Sequence, residues 1–147
     1  MDPFRFYLVR HGDAEPVGSG GDAGRRLSAQ GRVRFQALLR ARAAELRVAR
    51  ILTSPFLRAR ETAALLAAQV GARVEEEPML VSGRSTGPEL LALAKQAGAG
   101  TALVGHNPEM AEAVVLAAGE PHQIAPGTVA AIESVDGVFR LAWIAEG

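Results

Sequence analysis

Tyr7-Leu8-Val9-Arg10-His11-Gly12-Asp13 is the stretch from which the fold can be read. Residues 6–9 are all apolar or aromatic, the mark of a buried strand, and Arg10-His11-Gly12 stands where that strand would end. Arginine offers a planar fork of donors that matches phosphate oxygens. Histidine has a ring nitrogen that can be a free nucleophile near neutral pH. Glycine lets the chain turn sharply and lets a ligand approach the backbone. Alone, the stretch supports two readings, a core strand capped by a surface Arg-His pair or a strand aimed at a ligand.

Two further segments separate those readings. Residues 101–104 form a second apolar run, leading into Gly105-His106-Asn107-Pro108, where Asn107 is expected to cap and Pro108 to open a helix. Residues 50–53 form a third short strand, and Ser54-Pro55 has the pattern of an N-cap followed by a first helical proline. Arg58 then falls in the first turn of that helix, with Thr62 four residues on along the same face. Ligands of open α/β sheets collect at the carboxyl ends of the strands. His11, Arg58 and His106 therefore reach one edge, with Arg10 beside them. Two arginines, two histidines and a helix N-terminus make a pocket for an anion, most naturally a phosphoryl group. Phosphate, sulfate, vanadate or tungstate is expected to bind between His11 and His106. Positive neighbours also lower a histidine's pKa and keep a ring nitrogen unprotonated.

The remaining chain fills in an alternating pattern. Residues 13–26 read as a loop, and its Gly18-Ser19-Gly20-Gly21 run as a flexible rim able to close over a substrate. No Gly-Lys-Ser/Thr follows that run, so it is not a phosphate-cradling loop. Ser28 is expected to cap a helix whose Phe35, Leu38, Leu39 and Leu46 fall near one face. The second helix should stop near Gly71, residues 73–75 are a weaker strand, and a third helix should run from Thr86-Gly87-Pro88 to Gly98. The fourth helix should end near Gly119. Residues 128–135 and 138–144 read as strands joined by Asp136-Gly137, a two-residue hairpin signal. The fold class expected is α/β, a three-layer α/β/α sandwich around a mostly parallel sheet of about six strands, with a C-terminal β-hairpin.

Composition bounds the rest. A chain of 147 residues is expected to form a single domain, 1–147, with room for a substantial core. Net charge is zero, which gives no general attraction to nucleic acid or to an anionic membrane. Lys95 is the only lysine, so arginine supplies the other 15 basic residues and with them a stock of phosphate-binding groups. No cysteine is present, which excludes thiol catalysis and disulfides, and three histidines far apart in sequence argue against zinc. No signal-peptide pattern or membrane-length apolar run stands in the sequence, so a cytoplasmic location and a monomer are expected. His122 is expected to carry no chemistry, and Phe139 and Trp143 to be core residues of the hairpin.

Leu8-Val9-Arg10-His11-Gly12, Ser54-Pro55-Phe56-Leu57-Arg58-Ala59 and Val104-Gly105-His106 together resemble the motifs of the histidine phosphatase superfamily, the phosphoglycerate-mutase-like fold. Leu27-Ser28 with Gly31, and Thr62-Ala63, are secondary matches in the same order. The small size, the Arg-His-Gly-Asp-Ala start and the C-terminal hairpin most resemble SixA-type phosphohistidine phosphatases. The resemblance implies that His11 attacks phosphorus and becomes a phosphohistidine. It implies that Arg10, Arg58 and His106 hold the equatorial oxygens, with Gly12 lining the substrate site, and that no metal or other cofactor takes part.

One departure shapes the substrate expectation. Larger relatives carry a glutamate general acid after the third strand, where this chain has Leu80-Val81-Ser82. Asp13 is the candidate proton donor from the first loop, with Glu15 and Asp22 as further acids there. A phosphorylated imidazole with its second nitrogen protonated leaves as neutral imidazole and needs no strong acid, whereas an alkoxide does. The expected partner is therefore a phosphohistidine-bearing phosphotransfer protein. A small phosphomonoester, of sugar or nucleotide type, is the alternative substrate, and a phosphate-binding module without turnover is a weaker one.

Overall fold

β1 (Phe4–Arg10) lies inside the sheet, and its side chains alternate between two cores. In the computed structural model, which describes residues 2–16 and 20–146, Phe6 and Leu8 point to one face and Tyr7 and Val9 to the other. Along the chain follow α1 (Ala29–Ala41), β2 (Arg50–Thr53), α2 (Leu57–Val70), β3 (Arg73–Glu76), α3 (Gly87–Ala97), β4 (Thr101–Gly105), α4 (Glu109–Ala118), β5 (Val129–Val135) and β6 (Val138–Ala145). The sheet order is β3-β2-β4-β1-β5-β6, parallel from β3 to β1 and antiparallel from β1 to β6. This is the three-layer α/β sandwich with a C-terminal hairpin. Phe6 and Leu8 pack with Leu90 and Leu91 of α3 and Met110 and Val114 of α4. Tyr7 and Val9 pack with Phe35, Leu38 and Leu39 of α1 and Ala63 and Leu66 of α2. Each large side chain fully buried this way contributes roughly 1.5–3 kcal/mol.

The helix ends are set by local chemistry. Ser28 Oγ accepts from Gly31 N at 2.9 Å and caps α1. Thr86 and Glu89 form a reciprocal capping box at α3. Gly71 closes α2 with φ of 74°, a left-handed conformation that glycine adopts without strain. Asp136 and Gly137, with φ of 51° and 80°, make the hairpin turn between β5 and β6.

Four sequence expectations are corrected. α1 stops at Ala41, and Leu46 reaches the same core from beyond a 3-10 turn at Ala43–Glu45. α2 starts at Leu57 with Phe56 as its cap position, and Ser54 Oγ pairs with His106 Nε2 while accepting from Phe56 N ahead of the helix. α4 starts at Glu109, although Asn107 does serve its first turn by accepting from Ala111 N at 3.1 Å. The 13–26 loop is partly built rather than loose. Ala14 bridges Leu27, and a 3-10 turn at Asp22–Gly24 is bonded to α2. Gly18 and Ser19 of the glycine run lie outside the described residues. Among the described residues no helix is long and apolar enough to cross a membrane.

Candidate active site

Register brings the two histidines together. β1 and β4 are parallel neighbours with Arg10 opposite Gly105, so the next residues, His11 and His106, leave the sheet side by side. The chain leaves β1 toward α1 on one face and β4 toward α4 on the other, which makes this edge the switch point where α/β sheets bind ligands. The ring centroids of His11 and His106 are 5.1 Å apart. Both residues are buried, with 8% and 3% of their surface exposed. His11 N donates to Gly105 O at 3.0 Å and fastens one strand exit to the other.

The His11 ring has a defined proton position. Its Nδ1 is 2.7 Å from Gly12 O, and a carbonyl only accepts, so Nδ1 carries the proton. Nε2 is left with a lone pair, toward which Arg58 Nε–H donates at 3.3 Å. Burial, and then the charges of Arg58, Arg10 and Arg25, push the His11 pKa down to about 4 against the opposing Gly12 bond. The ring is therefore neutral near pH 7, with Nε2 free to act as a nucleophile. His106 is pushed down to about 3, by burial first and then by His11 and Arg58.

Thr62 holds the loop that carries His11. Its hydroxyl donates to Arg58 O at 2.8 Å and accepts from Gly12 N at 3.0 Å, tying α2 to the exit of β1. Arg58 is almost fully buried, and Phe56 lies under its guanidinium at 5.2 Å and edge-on to the His106 ring at 5.1 Å. Arg10 donates from Nη1 to Ile124 O at 2.9 Å, the same carbonyl that takes Asn107 Nδ2 at 3.0 Å, while its buried Nε has no partner among the described residues. Burial and the Arg58 charge lower the Arg10 pKa, as expected where two guanidinium groups approach one point.

The acids fall differently from expectation. Asp13 is exposed and its carboxylate accepts from Ser28 Oγ at 2.8 Å, so it supports the start of α1. The acid at the site is Asp22. Its Oδ2 and its carbonyl accept from Arg58 Nη2 and Nη1 at 3.2 and 2.7 Å, and its Oδ1 pairs with Arg25 at 3.1 Å. Arg25, and then Arg58, hold the Asp22 carboxyl below its usual range, so it is ionised near neutral pH. Glu61, three residues after Arg58, instead takes Leu27 N and Arg32. Sequence reasoning named Ser54 only as a cap and gave Arg25 and Phe56 no role. The Ser-Pro-x-x-Arg spacing was the available signal for Ser54 and Phe56. Nothing periodic marks a loop residue such as Arg25.

Known proteins resemble this chain at two levels, sequence and fold. The model of the histidine phosphatase superfamily (branch 1) matches residues 6–87, which hold Arg10, His11 and Arg58. The protein histidine phosphatase SixA, solved with tungstate, superposes with a TM-score of 0.81 at 21% identity over 97% of each chain. A protein of Agrobacterium tumefaciens assigned as a phosphohistidine phosphatase SixA gives 0.85 at 23% identity over 100% of both chains. A mycobacterial glucosyl-3-phosphoglycerate phosphatase gives 0.68 at 16% identity, covering 96% of this chain and 98% of its own. No curated protein sequence matches significantly. At these identities the solved structures share the fold, while the family model spans more than half of the sequence: the chain belongs to the histidine phosphatase superfamily, branch 1.

Proposed function

We propose that this protein is a phosphohistidine phosphatase working through a covalent phosphohistidine at His11. The observation that carries the reading is the proton on Nδ1 of His11, fixed by Gly12 O, which leaves Nε2 unprotonated beside Arg58 in a buried, cation-rich pocket. In the first step Nε2 attacks phosphorus in line, the N–P or O–P bond of the substrate breaks, and the leaving group takes the electron pair. Arg10, Arg58 and His106 hold the equatorial oxygens, and Gly12 N–H remains committed to Thr62. In the second step water attacks the phosphorus carried by Nε2, the N–P bond breaks with its electron pair returning to Nε2, and inorganic phosphate leaves with the protons of the water. Hydrolysis of an unactivated phosphomonoester needs a barrier reduction of roughly 20 kcal/mol or more.

Proton supply favours the substrate class. The carboxylate beside the pocket, Asp22, is held ionised by Arg25 and Arg58, and an ionised acid is a poor donor to an alkoxide. A phosphoimidazole protonated on its distal nitrogen leaves without one. The SixA likeness supports the same reading. The test is metal-free turnover of a phosphohistidine peptide beside a panel of alkyl and sugar phosphates, with trapping of labelled phosphoenzyme by an alkaline denaturing quench, in which an N–P bond survives. Faster turnover of the phosphohistidine, with label on His11, is expected. Preference for one ester assigns the protein to small-molecule phosphomonoesters, and binding without turnover makes it a recognition module.

A further inference from the structure

We infer that Ser54 is a positioning residue that fixes the tautomer of His106, making its Nδ1 a neutral N–H donor toward the phosphoryl group. The inference rests on the phosphoryl-binding reading above and assigns a task to a side chain with none in it. Ser54 has no exposed surface, and its Oγ lies 2.8 Å from His106 Nε2. The same Oγ accepts from Phe56 N at 3.2 Å.

The hydrogen-bond inventory decides the direction of the Ser54–His106 bond. A serine hydroxyl has one proton to give. Among the described residues the only acceptor recorded for the Ser54 proton is His106 Nε2. If Ser54 donates, Nε2 accepts, the neutral ring carries its proton on Nδ1, and one buried group, Nδ1–H, lacks a protein partner. If the ring donates instead, two buried groups go unsatisfied, the serine O–H and the Nδ1 lone pair. Each buried unpaired polar group costs on the order of 1–3 kcal/mol, so the first arrangement is favoured.

The ligand amplifies that preference. An anionic oxygen beside His106 accepts from Nδ1–H, which leaves nothing in the pair unsatisfied. It is repelled by a bare Nδ1 lone pair. The low pKa of His106 is consistent with the neutral ring required. The hydroxyl of Ser54 thus lets a buried histidine donate to phosphate without first carrying a charge. Parallel strand register places it there, because Thr53 pairs with Val104 and the next residues on the two strands are Ser54 and Gly105.

The experiment is 15N imidazole NMR on the full chain, with the three histidines assigned through His106→Asn and His122→Gln. Wild type is expected to show His106 as the Nδ1–H tautomer before any phosphate is added. Ser54→Ala should convert it to a mixture or to Nε2–H and weaken inorganic phosphate binding roughly tenfold or more, the worth of a bond to a charged group. Ser54→Thr, which keeps the hydroxyl, should retain both properties. An Nε2–H tautomer in wild type overturns the inference, as does an unchanged tautomer in a folded Ser54→Ala protein. Should Ser54→Ala fail to fold, the wild-type spectrum alone decides. The tautomer is read without substrate, so a protein that turns over no phosphorylated compound yet shows Nδ1–H contradicts the proposed function and leaves this inference intact.

Discussion

At His11 two effects oppose each other. The bond to Gly12 O stabilises a ring proton, while burial and three arginines expel one, and expulsion wins with a pKa of about 4. Two expectations follow at this residue. His11→Ala should abolish turnover and leave the circular dichroism spectrum and unfolding midpoint near wild type, because the ring sits at a strand exit and not within either apolar cluster. For wild type, kcat/KM corrected for the substrate's own ionisation should stay level down to about pH 5 and fall only near pH 4, where Nε2 gains a proton. A limb near 6.5 would show that the ring titrates as if exposed. Asp22 supplies a third expectation. Its carboxylate already occupies an edge of the guanidinium that an anion would use, so it competes with substrate. Asp22→Asn should raise the affinity for inorganic phosphate roughly two- to fivefold, the scale of an exposed ion pair, in a calorimetric titration. Weaker binding would make Asp22 a helper of Arg58 and not its competitor. His11, His106, Arg10 and Arg58 were legible in the sequence because each stands at a strand or helix boundary that short-range pattern reveals. Asp22 was legible only as one of three acids in the first loop, and Arg25 not at all, since their positions depend on the path of that loop. Ser54 was visible but misassigned, because serine before proline has the same spelling whether it caps a helix or orients a ring.

At the scale of elements, the contact between α1 and the exit of β1 sets the shape of the loop that carries His11. Ser28 N and Oγ both reach Asp13, and Gly31 lies directly against the Asp13 backbone. Helix propensity alone predicts that Gly31→Ala stabilises α1 by about 1 kcal/mol. Here the added Cβ would run into the Asp13 carbonyl, which is backbone and cannot swing away. The variant is therefore expected to be destabilised by about 1–3 kcal/mol in urea denaturation, with activity reduced through displacement of Gly12 and His11. A stabilised variant would show that the 13–28 junction gives way freely. Helix existence was well marked by capping residues and terminal glycines, whereas the helix starts after Ser54 and Asn107 slipped by two residues and one residue. Both side chains also serve tertiary partners, Ser54 the His106 ring and Asn107 the Ile124 carbonyl, and no local rule contains that information.

For the whole molecule, two neutral buried histidines act as a proton-linked load. The unfolded chain protonates both rings as pH falls below about 6.5, while the folded chain resists until about 4 and 3. Their contribution is thus fully present above pH 6.5 and is lost as pH falls through that window, by an order of a few kcal/mol in total. Urea midpoints measured at pH 7, 5.5 and 4.5 should decline steadily, and His11→Asn should remove part of the slope. Midpoints level from pH 7 to 5 would mean that the rings titrate freely in the folded state. The layered architecture was legible from alternating strands and helices. The strand order was not, because the pairing of β1 with β4 joins segments far apart in sequence.

That pairing also has a consequence in time. β1 is made near the start of synthesis, yet both its neighbours, β4 and β5, are made in the last third of the chain. At ordinary translation rates roughly 5–20 s separate β1 from β4 on the ribosome. Through that interval the nascent protein holds an apolar strand with two open edges, and the proposed phosphoryl pocket cannot assemble until His106 has emerged. On the proposed function the chain is therefore silent during its own manufacture, and β1 is the segment that a chaperone would shield.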